Sequence, residues 1–411
     1  MRWAEQDRLL ATEFGNGSGD LLTLILAGGE GRRLEPLTHC RAKPVVPFAG
    51  RRLIDFTLLN CVESGVNDIV VLTQYRSNGV EQHVGRWGSR FDGLRCFSSS
   101  DWGAPFRGTA DAVRAALRRI HRGRLVMVLA ADHVYRMDYG RLFELLTRSG
   151  AQGVLSTVPC SVSDAHRLGV VSIDEDGLIE TFIEKPDCPV CTPGPVGACL
   201  ASMGIYLFRR EALESYLLSH SDAIDFGYEV VPGMLDDGHR LVAYRFGAGE
   251  ECPFWRDIGD VDALHRALME LVEAGPRWAG QFLYEIDYSW SRGGLDRDLG
   301  VRPLARDGSS AWIGPGSVVS GLTLSRTVLG AGVNIDRHAE LRDCVVFDGA
   351  RVGARARLRR VVVEEGAVIP PGAVIGYDSA ADRRRYAVTP GGLIVVPAQP
   401  EFRELPISRA F

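Results

Sequence analysis

The chain's 411 residues are 45% hydrophobic and 24% charged, an ordinary globular composition and long enough for two domains. A formal net charge of −5 excludes the broad basic surface on which general nucleic-acid binding rests, and no apolar run approaches the ~20 residues a membrane helix needs. Nine cysteines in no regular framework read as reduced thiols of a soluble, cytoplasmic protein; the one close pair, Cys188 and Cys191, lacks a second pair at zinc-ribbon spacing and reads as a plain loop.

Residues 1–20 read as a flexible N-terminal tail ending in Asp20, without a basic signal-peptide leader. From Leu21 to about residue 150 the short apolar runs LLTLILA, DIVVLT and LVMVLAAD alternate with the helical patterns LIDFTLLNCVES, TADAVRAALRRI and YGRLFELLTRSG. Strands that are apolar throughout are buried on both faces, so this alternation predicts a Rossmann-like α/β domain with a mixed, mostly parallel sheet. Extended segments GVLSTVP, GVVSID, LIETFIE, SMGIYLF and LVAYRF follow, and the helical DVDALHRALMELVEA closes a first domain over 21–275. Residues 276–310, including WSRGGLDRDLGVRP, read as a linker.

Residues 311–411 differ in kind. Bulky apolar residues recur every six positions in sets of three: Trp312, Val318, Leu324; Leu329, Ile335, Leu341; Val346, Val352, Leu358; Val362, Val368, Val374. Matching members of successive sets lie 17, 17 and 16 residues apart. Hexads taken three at a time predict a triangular parallel β-helix whose coils bury their apolar rows against one another, with an antiparallel sandwich as the alternative. Gly314, Gly330, Gly353 and Gly372 fall at the expected corners, where positive φ suits glycine.

Phosphate chemistry is written just after the first strand, in AGGEGRRLEPLT. Gly28, Gly29 and Gly31 clear side chains from a turn so that backbone N–H groups can approach an anion, and Arg33 adds a planar cationic fork. Between Gly28 and Arg52 stand six basic residues against two acidic ones, a basic island in an acidic chain. The spacing is neither that of a dinucleotide fingerprint nor of a P-loop, and a structural turn would account for the glycines alone. Lysine use narrows the search, because 45 of the 47 basic residues are arginine. The two lysines are Lys43 in RAKPVVPF and Lys185 in FIEKP.

The loop LAGGEGRRLEPLT, followed in order by RAKPVVPF, LIDFTLLN, LTQYRS, FRGTADAV, ADHVYRMDY, FIEKP, ASMGIYLF and FWRDIG, resembles the bacterial glucose-1-phosphate adenylyltransferases (ADP-glucose pyrophosphorylases) of the nucleotide-sugar pyrophosphorylase superfamily. The likeness runs from about residue 21 to 274 and resumes in the hexads, which that family carries as a left-handed β-helix. It implies attack by the glucose 1-phosphate oxygen on the α-phosphorus of ATP, releasing diphosphate, in a magnesium-dependent reaction that supplies glycogen or another α-glucan. Arg33 and Lys43 would lie along the triphosphate, and Asp132 and Asp257 would hold the magnesium. ATP recognition would fall to Ala27, Gly28, Gly29, the amide of Gln74, and Gly108. The sugar phosphate would meet Glu184 and Lys185, with Gly169 and Ser202 beside them. Lysine is a compact charge on a slim stem, so arginine would not substitute for it in a pocket shaped to one phosphate.

Some positions depart from the family pattern. Phe106 stands where many relatives have tyrosine, and Ala131 where many have glycine. Phosphorylated metabolite effectors would use Arg41 and Arg52, but Cys40 and Pro47 fall where well-known members have lysine and histidine, which predicts altered or weaker effector control. The resemblance also implies a homotetramer. Two alternatives remain at this stage: another nucleotide or sugar-phosphate specificity, and a non-catalytic regulatory subunit. An acyltransferase reading of the hexads finds no histidine tied to an acyl-carrier site, since His338 is as easily a surface residue.

Overall fold

The structure, a computed structural model, describes residues 20–88, 91–189, 198–248, 254–274, 302–306, 309–320 and 323–398. The expected N-terminal tail up to residue 19, Cys191 and the expected linker up to residue 301 lie outside the described residues. Two compact units result: the first is mainly Leu53–Arg256 with the first strand, and the second runs from Asp257 onward and includes Gly31–Arg41 and Val46–Arg52.

The first unit is built on a sheet whose strands, numbered in chain order, are β1 (Leu21–Ala27), β2 (Ile69–Thr73), β3 (Leu94–Ser98), β4 (Leu125–Ala130), β5 (Gly153–Ser161), β6 (Gly169–Ile173), β7 (Ile179–Glu184), β8 (Ala198–Arg209) and β9 (Leu241–Arg245). They lie in the order β7-β6-β8-β4-β1-β2-β3, with β5 alongside β8 and β9 beside β5. β1 to β4 are mutually parallel, β8 runs antiparallel to β4, β5 and β6, and β9 is parallel to β5. This is the predicted mixed, mostly parallel sheet. Leu24 pairs with Val70 and Val128, and these side chains join a core with Ala110, Val113 and Ala116 of the helix Thr109–Leu117. Ile25, Val71 and Leu129, on the opposite face, are fully buried as well. That double burial is why the runs show no polar alternation. The parallel strands β1, β2 and β4 end together at Ala27, Thr73 and Ala130, so the loops that follow them emerge on one edge.

The second unit is a parallel coil with three faces in register. Val319, Ile335, Val352 and Ile369 follow one another on the first, Leu324, Leu341, Leu358 and Ile375 on the second, and Ile313, Leu329, Val346, Val363 and Val396 on the third. The predicted period holds, but its phase is corrected at both ends. Val318, Val368 and Val374 point outward and are 58%, 65% and 52% exposed. Trp312 and Val362 lie in the neighbouring register row with Val328 and Val345. A slip of one residue turns a strand side chain to the other face, and a six-residue spacing reads the same in either phase. The shorter 16-residue step falls between Ile313 and Leu329 rather than between the last two sets.

The corner glycines are corrected too. Of the four expected at positive φ only Gly372 has it, at 73°. At Gly314, Gly330 and Gly353 a Cβ would run into the backbone of the next coil, so glycine serves close approach there. The expected linker ends early as well, because Arg302–Arg306 forms a strand antiparallel to Ser309–Ile313. The helix Val261–Glu273, N-capped by Asp260 through Ala263 N–H at 2.7 Å, packs on the coil's strands, and His265 Nε2 meets the carbonyl of Asp343 at 2.9 Å.

Candidate active site

The glycine loop starts at the buried end of β1. A Cβ on Gly28 would stand 3.3 Å from Cβ of Gln74, the residue that follows β2, so glycine lets the two loop starts lie side by side. Gly29 is exposed with nothing within 4 Å of its missing side chain, leaving bare backbone toward solvent. In the second unit, Gly31 (φ 68°) opens the single helical turn Arg32–Leu34, its carbonyl accepts from Thr38 Oγ1 at 3.0 Å, and Arg33 on that turn is exposed.

Asp132 follows β4 by two residues, on the same edge as Gly28 and Gln74. Its Oδ2 lies 2.6 Å from Nζ of Lys43, with side chains 28% and 12% exposed respectively, and its Oδ1 lies 3.7 Å from Nε2 of His133. Burial works against ionisation of this carboxyl, but the Lys43 ammonium and His133 outweigh it and hold Asp132 at about 2. It is therefore an anion at neutral pH. His133 donates from Nδ1 to the carbonyl of Met203 at 2.9 Å and packs edge-on against Trp255 at 5.3 Å, which fixes the ring beside the pair.

The side-chain amide of Gln74 is engaged by the backbone of Phe106: Oε1 accepts from Phe106 N–H at 2.5 Å and Nε2 donates to its carbonyl at 3.2 Å. Each end retains further bonding capacity, since an amide has two donors and two lone pairs. The Phe106 ring packs edge-on against Trp102 at 5.7 Å. Gly108, extended at φ 179°, begins the helix Thr109–Leu117, and a Cβ there would strike the carbonyl of Ile224.

A second cluster lies at the end of β7. Glu184 Oε1 is 2.9 Å from Lys185 Nζ. Gly169 faces Glu184 across β6 and β7, and its missing Cβ would come 2.8 Å from Glu184 Oε2; at Gly227 the figure is 2.7 Å. Both glycines are thus the space the carboxylate occupies. Lys185 has φ 48°, a left-handed conformation that costs a non-glycine residue roughly 1–2 kcal/mol, and its N–H is tied to the carbonyl of Leu168 at 2.9 Å. Burial lowers the lysine's proton affinity, but the Glu184 carboxylate and, after it, the hydroxyl of Tyr228 more than reverse this, so its pKa is raised and it stays cationic. Ser202, buried, sits where the pairing of β8 with β5 shifts register, and its Oγ lies 3.1 Å from the hydroxyl of Tyr206. Burial keeps Tyr206 protonated, with the Glu184 and Asp225 charges adding to the effect.

Comparison with known proteins identifies the family of the chain. Residues 22–274 match the nucleotidyl transferase family, and 305–396 match the GlmU-like C-terminal hexapeptide family. The chain is 34% identical over 400 residues to a glucose-1-phosphate adenylyltransferase of Nitrosococcus oceani, covering 92% of this chain and 93% of the relative. For the enzyme of that name from Geobacter metallireducens the identity is 34%, covering 94% and 99%; for glucose-1-phosphate adenylyltransferase 2 of Alkalilimnicola ehrlichii it is 35%, covering 91% and 93%. This chain belongs to the glucose-1-phosphate adenylyltransferase family. The hexapeptide match agrees with a left-handed hand for the parallel coil.

Nucleotidyltransferases of this kind generally use a divalent metal. Among the described residues no three His, Cys, Asp or Glu side chains gather as a cage. Asp132 nevertheless offers an ionised, partly exposed oxygen donor, which fits a hard cation that takes its remaining ligands from phosphate oxygens and water. Asp257 ends the strand Trp255–Asp257. Of the two arginines expected at the family's effector site, both bond one carboxylate in the second unit: Arg52 Nη2 donates to Glu365 Oε1 at 2.8 Å, and Arg41 donates to Glu365 Oε2.

Sequence reasoning did not single out Tyr206, Asp225 or Tyr228. Asp225 caps the turn Phe226–Val230 through Gly227 N–H (2.9 Å) and Tyr228 N–H (3.0 Å), and Thr109 Oγ1 donates to its Oδ2 at 3.2 Å. The segment DFGYEV that holds it has neither a glycine-rich spacing nor a charge cluster, and only the fold brings it beside FIEKP.

Proposed function

We propose that this protein joins ATP and glucose 1-phosphate to form ADP-glucose and diphosphate, supplying an α-glucan. The observation that carries the reading is the match to adenylyltransferases over nearly the whole of both chains. Both substrates are anions, so the site must offset their repulsion before aligning them. Lys43 and Arg33 neutralise the triphosphate and the charge that moves onto the leaving diphosphate. Lys185 holds the sugar phosphate, and Glu184 accepts a sugar hydroxyl while keeping the lysine oriented. A phosphate oxygen of glucose 1-phosphate then forms a bond to the α-phosphorus as the bond from that phosphorus to the bridging oxygen breaks. Magnesium, held by Asp132 and Asp257 together with phosphate oxygens, would supply further charge neutralisation. Gln74, Gly28 and Gly108 line the nucleotide side.

Effector control is proposed to be weak. Arg41 and Arg52 already share Glu365, which supports the expectation drawn from Cys40 and Pro47. We also propose a homotetramer, checked by light scattering of the purified chain. The test of function is the initial rate with ATP, UTP, dTTP or GTP, with and without magnesium. Fastest turnover with UTP refutes the adenylyl assignment, and an absence of magnesium-dependent diphosphate release refutes catalysis.

A further inference from the structure

Tyr228 lies over the ammonium of Lys185, with the ring centroid 5.2 Å from Nζ. The turn Phe226–Val230 delivers it there. Asp225 holds the N–H groups of Gly227 and Tyr228, and Gly227 lacks the side chain that would otherwise collide with the Glu184 carboxylate. The Lys185 ammonium thus has the Glu184 carboxylate at 2.9 Å and the ring of Tyr228 at 5.2 Å.

Tyr228 is 57% exposed, so it and the ammonium beside it are open to an incoming anion. A lysine on a free stem loses about 2 kcal/mol of rotamer freedom when it is immobilised on a ligand. An ammonium already confined by a carboxylate and a ring face has less to lose when a phosphate arrives.

We propose that Tyr228 is a positioning residue of the sugar-phosphate site, its ring holding the Lys185 ammonium in the place where the anion of the sugar phosphate docks. The proposal rests on the reading of Glu184 and Lys185 as the sugar-phosphate pair. It concerns the ring rather than the hydroxyl, so phenylalanine fulfils the role and leucine does not.

The experiment varies glucose 1-phosphate at saturating ATP, and ATP at saturating glucose 1-phosphate, on the full chain. Tyr228→Leu is expected to raise KM for glucose 1-phosphate about two- to five-fold, the span an exposed cation–π contact covers, with KM for ATP and kcat nearly unchanged. Tyr228→Phe restores the wild-type KM. In a Lys185→Gln background Tyr228→Leu adds nothing, because the cation it holds is gone. An unchanged KM in Tyr228→Leu, equal damage from Tyr228→Phe, or a full effect of Tyr228→Leu in the Lys185→Gln background overturns the proposal. Lys185→Gln alone separates the two readings: if it raises KM while Tyr228→Leu does not, only the role of Tyr228 falls, and if it leaves KM unchanged the sugar-phosphate reading falls with it.

Discussion

Gly169→Ala probes the sugar-phosphate site through space rather than charge. The backbone of Gly169 is not in the left-handed region, so alanine brings no conformational strain, only a methyl group. That methyl would lie 2.5 Å from Cζ of Phe182 and 2.8 Å from Oε2 of Glu184, where ordinary contact begins at 3.4 Å. Phe182 is a buried core residue with little freedom to move, so its contact with the methyl strains the core, and the carboxylate is displaced as well. Overpacking of this kind costs about 1–3 kcal/mol, which for a unit of this size lowers Tm by roughly 2–10 °C. A shift of about 0.6 Å in Glu184 also stretches its 2.9 Å pair with the partly exposed Lys185, and weakening such a pair, worth up to about 1 kcal/mol, raises KM for glucose 1-phosphate by up to roughly five-fold. KM for ATP should be unaffected. Steady-state rates and a thermal melt on the same preparation read both effects. A lowered Tm with unchanged KM for glucose 1-phosphate would refute the view that Glu184 faces the sugar, and an unchanged Tm would refute the close packing itself.

Lys185→Arg keeps the charge and is expected to raise KM for glucose 1-phosphate sharply, because a planar fork cannot replace a compact ammonium confined between Glu184 and Tyr228; an unchanged constant would make the lysine incidental. Lys43→Met tests the Asp132 pair by pH. In the wild type Asp132 falls from 3.8 to about 2 on folding, so its ionised form contributes on the order of 2 kcal/mol above pH 4, lost as pH falls toward 2. Without the ammonium the largest influence favouring ionisation is gone, so the carboxyl's pKa lies above its wild-type value. The stability gap between wild type and Lys43→Met should therefore be widest near neutrality and shrink between pH 4 and 2, and a pH-independent gap would refute the pairing. Glu365→Gln should release Arg41 and Arg52 for anions, so that fructose 1,6-bisphosphate changes initial rates more in the variant than in the wild type; equal responses would show that the carboxylate does not govern the site.

Much of the architecture was written locally. LLTLILA, DIVVLT and LVMVLAAD are predominantly apolar, without polar alternation, because β1, β2 and β4 are buried on both faces, and that requirement acts on each run separately. The hexad period was equally legible, since every coil must repeat the same inward face. The phase of that repeat was not: whether Val318 or Val319 points inward depends on which residue the next coil presents, a contact between residues 16 or 17 apart. The same holds for Gly314 and Gly353, which read as turn residues and serve instead as room for a neighbouring backbone. The packing of Val261–Glu273 on the coil was likewise invisible in its own amphipathic pattern, which shows that a face is buried and not against what.

The candidate site divides along the same line. Arginine's near monopoly of positive charge singles out Lys43 and Lys185 from the sequence alone, and the ordered motifs name the family. Tertiary structure decided that Lys43 meets Asp132, that Gly169 and Gly227 hollow out a place for one carboxylate, and that Tyr228 covers Lys185. Sequence determines what each residue can bond and which face of its own strand or helix is apolar. It leaves the distance between residues far apart in the chain to the packing of the whole, and electrostatic effects such as the depressed Asp132 exist only at that distance.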